Sequence, residues 1–270
     1  MKRSISLIVL QLAALWPVWR WYAGRINDSP DDMLCLLALV TATVLLWRSK
    51  ATADRSTSKL WLPCVLLIVY ALTFAFLPPL ARGVIAMTSV ACTISILRFG
   101  RSFQLWLLGL FCLGLPSIPA LQFFCGYPLR VFVAAVTAPI LRLGGFAVIR
   151  EGACLNWDGR LIWIDAPCSG IRMIWVGMYL TFTLIAIYDL SRKRAALAIF
   201  TGIVSIVFGN IFRATALFYF EGGVLAVPTW AHDYMGALTF SLVSVITCLA
   251  IHRLGRNSIC NAPVSISQPV

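Results

Sequence analysis

Residues 195–219, AALAIFTGIVSIVFGNIFRATALFY, form a long apolar run whose only charged residue is Arg213. About 20 helical residues suffice to cross a hydrocarbon core of roughly 30 Å, so the run predicts a transmembrane helix. An arginine within such a helix costs on the order of 2.5 to 3.5 kcal/mol. Arg213 must therefore face a polar cavity or partner, or extend its side chain to the lipid headgroups.

Similar apolar runs recur along the chain. Further spans are predicted near residues 5–22, 33–47, 60–79, 83–97, 103–122, 171–189 and 236–252. The first resembles a signal peptide, but WPVWR at residues 16–20 replaces a small-residue cleavage site, so we expect an uncleaved anchor. Only 12% of residues are charged, about half the roughly 25% of soluble domains. The sequence predicts an all-α polytopic membrane protein with about eight transmembrane helices.

The distribution of charge also fits a membrane protein. The formal net charge of +12 would favour a nucleic-acid partner in a soluble chain. Here the apolar content favours the positive-inside reading, because Lys and Arg concentrate in short connectors that remain cytoplasmic. We therefore expect no nucleic-acid partner, contact with membrane lipid, and a multi-pass inner or plasma membrane protein with both termini inside the cell.

Four regions are predicted: N-terminal transmembrane helices (1–124), an extracytoplasmic segment (125–170), three more transmembrane helices (171–256) and a disordered tail (257–270). In the second region, the unbroken apolar run from Val131 ends at Leu141 and is too short to cross. Residues 131–149 therefore predict an interfacial helix on the outer face, with Arg130 and Arg142 on its polar side.

A short β-hairpin is predicted after the interfacial helix. Residues 154–157 and 160–164 flank Asp158-Gly159, a dipeptide typical of two-residue hairpin turns. Besides Cys168, the outer segment contains Cys125 and Cys154, and whether these two form a disulfide is left open.

Cys168 is the candidate nucleophile. It stands in Pro167-Cys168-Ser169-Gly170 at the predicted start of the sixth span. The positive end of a helix favours thiolate over thiol, and Ser169 could cap this helix. Cysteines within apolar runs are better explained as small buried hydrophobes: Cys35, Cys64, Cys92, Cys112 and Cys248. No CxxC or Cys/His ligand spacing occurs, so no metal or other cofactor is expected.

Two further motifs are predicted to reach the same membrane face as Cys168. Asn210 precedes Arg213 by three positions, and His232-Asp233 stands just before the last span. Histidine is suited to proton transfer at neutral pH. A thiolate to attack, an imidazole to protonate the leaving amine and a guanidinium to stabilise the oxyanion together suit acyl transfer at a peptide carbonyl.

Read together, these residues resemble the exosortase and archaeosortase family of membrane cysteine transpeptidases. The resemblance rests on three motifs: Pro167–Arg172, Asn210-x-x-Arg213 and His232-Asp233-x-x-Gly236. It covers roughly residues 125–253. Pro167 departs from the family pattern, which commonly has a small residue before the cysteine. The resemblance implies a catalytic triad of Cys168, Arg213 and His232.

The resemblance also implies a substrate. Exported proteins with a C-terminal sorting signal, made of a short PEP-CTERM-like motif, a transmembrane helix and a basic cluster, would be cut on the outer side through a Cys thioester.

Neighbouring residues have open roles. Arg172 could hold the thiolate or bind substrate carboxylates, or only anchor at headgroups. Asn210 could orient Arg213 or His232, or bond a backbone carbonyl. Asp233 could orient His232 or cap the last helix. A transporter or lipid-handling protein with Arg213 and Asn210 lining a polar passage, and an assembly factor that only binds sorting-signal proteins, are the alternative functions.

Overall fold

The computed structural model describes residues 2–26, 30–49, 59–165, 169–225, 228 and 231–259. Within these ranges the chain is mostly helical, which confirms the predicted all-α polytopic class. The helices are α1 (Lys2–Ala14), α2 (Trp16–Arg25), α3 (Leu34–Arg48), α4 (Trp61–Thr73), α5 (Pro79–Phe99), α6 (Leu105–Leu113), α7 (Ile118–Leu143), α8 (Ile171–Ile187), α9 (Arg192–Glu221) and α10 (Ala231–Ile259). A 3-10 helix, Pro30–Met33, precedes α3.

Fewer helices than predicted are long enough to cross a membrane. In the described chain four qualify by length and composition, namely α5, α7, α9 and the Tyr234–Arg256 part of α10. The pair α1 and α2 makes a fifth if it is one span, bent by 66°. The prediction of about eight spans is therefore too high, since α3, α4 and α8 are apolar but have only 15, 13 and 17 residues.

Prolines lie near three of the breaks between helices: between α1 and α2, after α4, and between α6 and α7. The chain breaks between α1 and α2 just before Pro17, and α4 ends at Thr73, ahead of Pro78 and Pro79. The predicted span at 103–122 is divided by Gly114-Leu115-Pro116-Ser117 into α6 and the start of α7. Proline lacks the N–H that continues a helix and disfavours helical geometry in the residue before it. Hydropathy alone does not register these interruptions.

The predicted interfacial helix at residues 131–149 has the wrong bounds. It belongs to α7, which begins thirteen positions earlier, at Ile118, and ends at Leu143. Gly144 follows the last helical residue, Gly145 has a φ of +89°, and by Ile149 the chain is already a strand. The end of the predicted fifth span and the predicted interfacial helix are therefore one continuous element.

The small sheet contains the predicted hairpin and one strand more. Strands β1 (Ile149–Glu151), β2 (Cys154–Trp157) and β3 (Arg160–Trp163) pair antiparallel in that order. Asp158 and Gly159 connect β2 and β3 with φ of +51° and +75°, as a type I′ turn requires, so the hairpin is confirmed. The missed strand β1 is fully exposed and has three residues, too few for an alternating pattern.

The sheet packs at one end of the helices, which we call the sheet end. Leu155 and Ile162 share a hydrophobic cluster with Leu141 of α7 and Leu217 of α9. Phe146 lies 5.5 Å from Trp157 and 5.3 Å from Phe218, ring centre to ring centre. These contacts fix the sheet against the last turns of both helices.

The last three helices pack closely through glycines. A Cβ added at Gly202 of α9 would lie 2.6 Å from the Thr181 hydroxyl of α8, and one at Gly209 would overlap Val243 of α10. Gly170, just before α8, lies against Asn210 of α9. The eleven residues of α9 from Ile211 to Glu221 consequently extend past the head of α8 to the sheet end.

The cysteines and the tail depart partly from expectation. Cys35 and Cys92 are buried as predicted, Cys112 and Cys248 are half-buried, and Cys64 is exposed. Cys125 and Cys154 are both free thiols, so they do not form the disulfide that was left open. Helix α10 continues to Ile259, three residues into the predicted tail; residues 260–270 lie outside the described part of the chain.

Candidate functional site

The head of α8 is a tight corner against α9. Gly170 precedes the helix with a φ of +81°, a conformation that side-chain-bearing residues rarely adopt. A Cβ at this position would lie 2.9 Å from the Cγ and Nδ2 atoms of Asn210. Both the backbone conformation and the close approach therefore require glycine here.

Ser169 does not cap α8, as the sequence had suggested it could. The N-cap position is Gly170, and no side chain makes a capping bond there. The Ser169 hydroxyl instead donates to Oε1 of Gln122 on α7 at 3.0 Å, and the residue is only 3% exposed. The corner is thus tied to two other helices.

Asn210 and Arg213 lie on one face of α9 near the sheet end. Asn210 is buried and Arg213 half-buried. The Arg213 guanidinium lies against the α10 backbone at Gly236, where an added Cβ would be 3.4 Å from Nη2 and 3.5 Å from Nε and Cζ. An added Cβ would be in ordinary van der Waals contact with the guanidinium, so a side chain larger than that of alanine at position 236 would press against it.

Two predicted site residues are only partly placed by the structure. Cys168 lies outside the described residues, so its position remains a prediction. His232 belongs to the first turn of α10, and its side chain is likewise outside what is described. On the helix, residues four positions apart share a face, so His232 shares the face of Gly236 that meets Arg213.

The predictions for Asp233 and Arg172 need adjustment. Because α10 begins at Ala231, Asp233 lies inside its first turn and not at the capping position. Arg172 is exposed, and α8 starts only at Ile171. Arg172 therefore lies in the first turn of α8, and its role stays a prediction.

A small cavity of about 40 Å³ lies directly beside the corner. Its polar lining comes from Ser169, Gly170 and Asn210, and its apolar walls from α7, α8 and α9: Leu129, Phe132, Val133, Ile174, Ile206 and Val207. Apolar surroundings screen charge less than water does. The charge of a group at this corner would therefore be screened less than in water.

Cys154 illustrates a structural thiol by contrast. It lies buried in β2, and burial, followed by the charge of nearby Glu151, raises the pKa of its thiol above the ordinary value. The thiolate is the nucleophilic form, so this environment lowers reactivity.

Gln122 is the site residue that sequence reasoning missed. It is a lone amide within the apolar stretch Leu121-Gln122-Phe123, far from the three motifs along the chain. An isolated polar residue in an apolar helix is the only signal that the sequence offered, and it does not name the partner.

The structure also bears on metal binding. Among the side chains that it describes, no three His, Cys, Asp or Glu residues group closely enough to hold a metal ion.

Several long apolar helices define an integral membrane protein of the polytopic helical class. Polar residues of the candidate site gather at the corner between α8 and α9 and where Arg213 meets α10. A family model described as transmembrane exosortase matches residues 21–249, and the chain belongs to that family. The match extends the resemblance, first drawn over residues 125–253, to the N-terminal helices. No curated protein and no solved structure was found to be significantly similar to the chain. Family membership supports a general role in processing exported proteins with sorting signals.

Proposed function

We propose that this exosortase is a membrane-embedded cysteine protease or transpeptidase. It would cleave C-terminal sorting signals of exported proteins at the extracytoplasmic face through a thioester on Cys168. The observation that carries the proposal is the close approach of α8, α9 and α10, with Asn210 against Gly170 and the Arg213 guanidinium against Gly236.

Chain geometry relates these contacts to the two residues whose side chains are not described. Cys168 precedes Gly170 by two residues, which span at most about 7 Å. His232 precedes Gly236 by four helical residues, about 6 Å along the axis. Both distances support a nucleophile and an imidazole near Arg213.

The proposed reaction begins with attack by the Cys168 thiolate on the scissile carbonyl carbon. The C–S bond forms, the carbonyl π electrons move to oxygen, and the Arg213 guanidinium stabilises the negative charge. His232 gives a proton to the leaving nitrogen as the C–N bond breaks, which releases the transmembrane tail and leaves a thioester.

Water or an amine then resolves the thioester. The incoming nucleophile loses a proton to His232, attacks the thioester carbon and expels the Cys168 thiolate. Asn210 would hold Arg213 in place, and Arg172 would bind carboxylates of the recognition motif. The N-terminal end of α8 favours the thiolate in both steps.

We also propose where the tail of the substrate lies. Helix α10 is the least buried of the four long apolar helices, with 22% of its apolar stretch buried. It presents the unpacked side chains of Leu238, Leu242, Val245 and Leu249. A substrate helix along this stripe would enter laterally and bring its scissile bond to the sheet end.

The experiment that tests this function co-expresses the full chain with an exported reporter that ends in a short motif, an apolar span and a basic cluster. We expect wild-type protein to release a shortened reporter, and the Cys168→Ala variant to insert normally but release none. Cys125→Ala and Cys154→Ala are matched controls at the other thiols near the sheet end, and both should process. Undiminished release by Cys168→Ala would reject the proposal in favour of the transporter or binding-protein alternatives.

A further inference from the structure

A hydrogen bond joins Gln122 of α7 to Ser169, the residue that follows the proposed nucleophile. The Gln122 Oε1 accepts the hydrogen bond from Ser169 at 3.0 Å, across a separation of 47 positions in the chain. Ser169 is 3% exposed, so the bond is shielded from water on the serine side. Breaking this bond is costly on the serine side, because the buried hydroxyl loses its partner without regaining water.

The conformation of Gln122 is held by the helix that carries it. Gly126 lies one turn further along α7, and a Cβ there would be 3.3 Å from the Gln122 Cδ and 3.4 Å from Nε2. The first of these spacings is slightly tighter than ordinary van der Waals contact, so the amide packs closely over the glycine. Gly126 thus leaves the space in which the amide can turn toward Ser169.

The segment after Cys168 is therefore held from two sides. From α7, Gln122 holds Ser169 by a hydrogen bond. From α9, Asn210 packs against Gly170. These two contacts fix Ser169 and Gly170, and with them the direction in which the chain enters α8.

We propose that Gln122 is a positioning residue of the catalytic site, which acts through Ser169 to fix the thiol of Cys168 relative to the head of α8 and Arg213. This inference rests on the proposed function.

The physical consequence is a change in thiol reactivity. A thiol held at a helix N-terminus has a lowered pKa, and one that is released returns toward the ordinary value of about 8.5. Loss of the Gln122–Ser169 bond should therefore reduce the thiolate fraction at neutral pH. It should also slow the attack itself, because the sulfur is no longer aligned.

The test is a double-mutant cycle in the full-length protein in membranes. Gln122→Met preserves length and removes the acceptor, and Ser169→Ala removes the hydroxyl. Each single variant should lower the reporter processing rate about five- to tenfold, the rate equivalent of one hydrogen bond. The double variant should be no slower than either single one, because both changes remove the same bond.

A second readout separates positioning from a merely structural role. The rate at which iodoacetamide alkylates Cys168, measured by mass spectrometry of its peptide against pH, should shift to higher pH in both single variants. Gln122→Glu retains an oxygen acceptor at the same length and should process faster than Gln122→Met. Ser169→Ala deletes a single atom, so it carries the test if Gln122→Met accumulates poorly.

Gln11 supplies a matched control. Its Nε2 donates to the Ser89 hydroxyl at 2.7 Å, a buried Gln–Ser bond between α1 and α5. Gln11→Met should lower thermal stability but leave the pH profile of Cys168 alkylation unchanged. Wild-type processing by Gln122→Met, multiplying losses in the double variant, or an unshifted pH profile would each overturn the inference. Failure of the proposed function is distinguishable, because Cys168→Ala would then process as well as wild type.

Discussion

Gly170→Ala is the substitution whose consequence follows most directly from the geometry of the corner. The new methyl group would be attached to a residue with a φ of +81° and would lie 2.9 Å from two atoms of Asn210. The left-handed conformation costs an alanine about 1 to 2 kcal/mol. Overpacking of a close contact typically adds about 1 to 3 kcal/mol, so the free energy of unfolding should fall by roughly 2 to 5 kcal/mol.

The two contributions can be separated by shortening the residue that the methyl group meets. In an Asn210→Ala background the steric part disappears, and Gly170→Ala should then cost only the conformational part, about 1 to 2 kcal/mol. The assay is denaturant unfolding of the purified protein in detergent micelles, with reporter processing measured in parallel in membranes. Processing should fall at least tenfold, because the corner that carries Cys168 into α8 is displaced.

A matched control is Gly24→Ala in α2, where an added Cβ meets nothing within 4 Å. Its unfolding free energy should not fall and should rise by up to about 1 kcal/mol, because alanine is the better helix former. The reasoning fails if Gly170→Ala behaves like this control, since α8 would then not begin with a left-handed glycine. Equal costs of Gly170→Ala in both backgrounds would show that Asn210 does not pack against Gly170.

Three further outcomes are expected. Gly236→Val should displace the Arg213 guanidinium, which lies 3.4 Å from the position of an added Cβ, and reduce reporter processing at least tenfold while membrane insertion is preserved. Gly209→Leu should force α9 away from Val243 of α10 and lower the unfolding free energy by about 1 to 3 kcal/mol; an unchanged denaturation midpoint would show that the helices do not pack there. Burial raises the pKa of the Cys154 thiol, so its alkylation rate in the folded protein should still increase above the pH at which an ordinary thiol, with a pKa of about 8.5, has levelled off. A plateau at the ordinary pH would contradict the burial of that thiol.

The sequence predicted the helical class and the hairpin because both depend on local rules. Apolar runs specify helices in a membrane, and the Asp158-Gly159 dipeptide specifies a turn with two positive φ values. Helix lengths were less predictable. Pro116 and the Pro78-Pro79 pair interrupt runs that hydropathy treats as continuous, and α7 joins two segments that hydropathy treats as separate.

The site was predictable only as far as its motifs reach. Asn210 and Arg213 share a helix face by simple spacing, and the structure places them where α9 meets its neighbours. The bond between Gln122 and Ser169 depends on how α7 lies against α8, which no local pattern encodes. The left-handed Gly170 likewise follows from the close approach of α9, so Ser169 was assigned a capping role that it does not have.

The most direct test of the central claim is chemical capture of the intermediate on the enzyme. Reporter and full-length protein are mixed in membranes, quenched in acid, digested and analysed by mass spectrometry, with and without hydroxylamine. The account predicts a hydroxylamine-sensitive acyl group on the peptide that contains Cys168, and none when His232 or Arg213 is replaced by alanine. Reporter cleavage without any acyl group on Cys168, or with the acyl group on another residue, would contradict it.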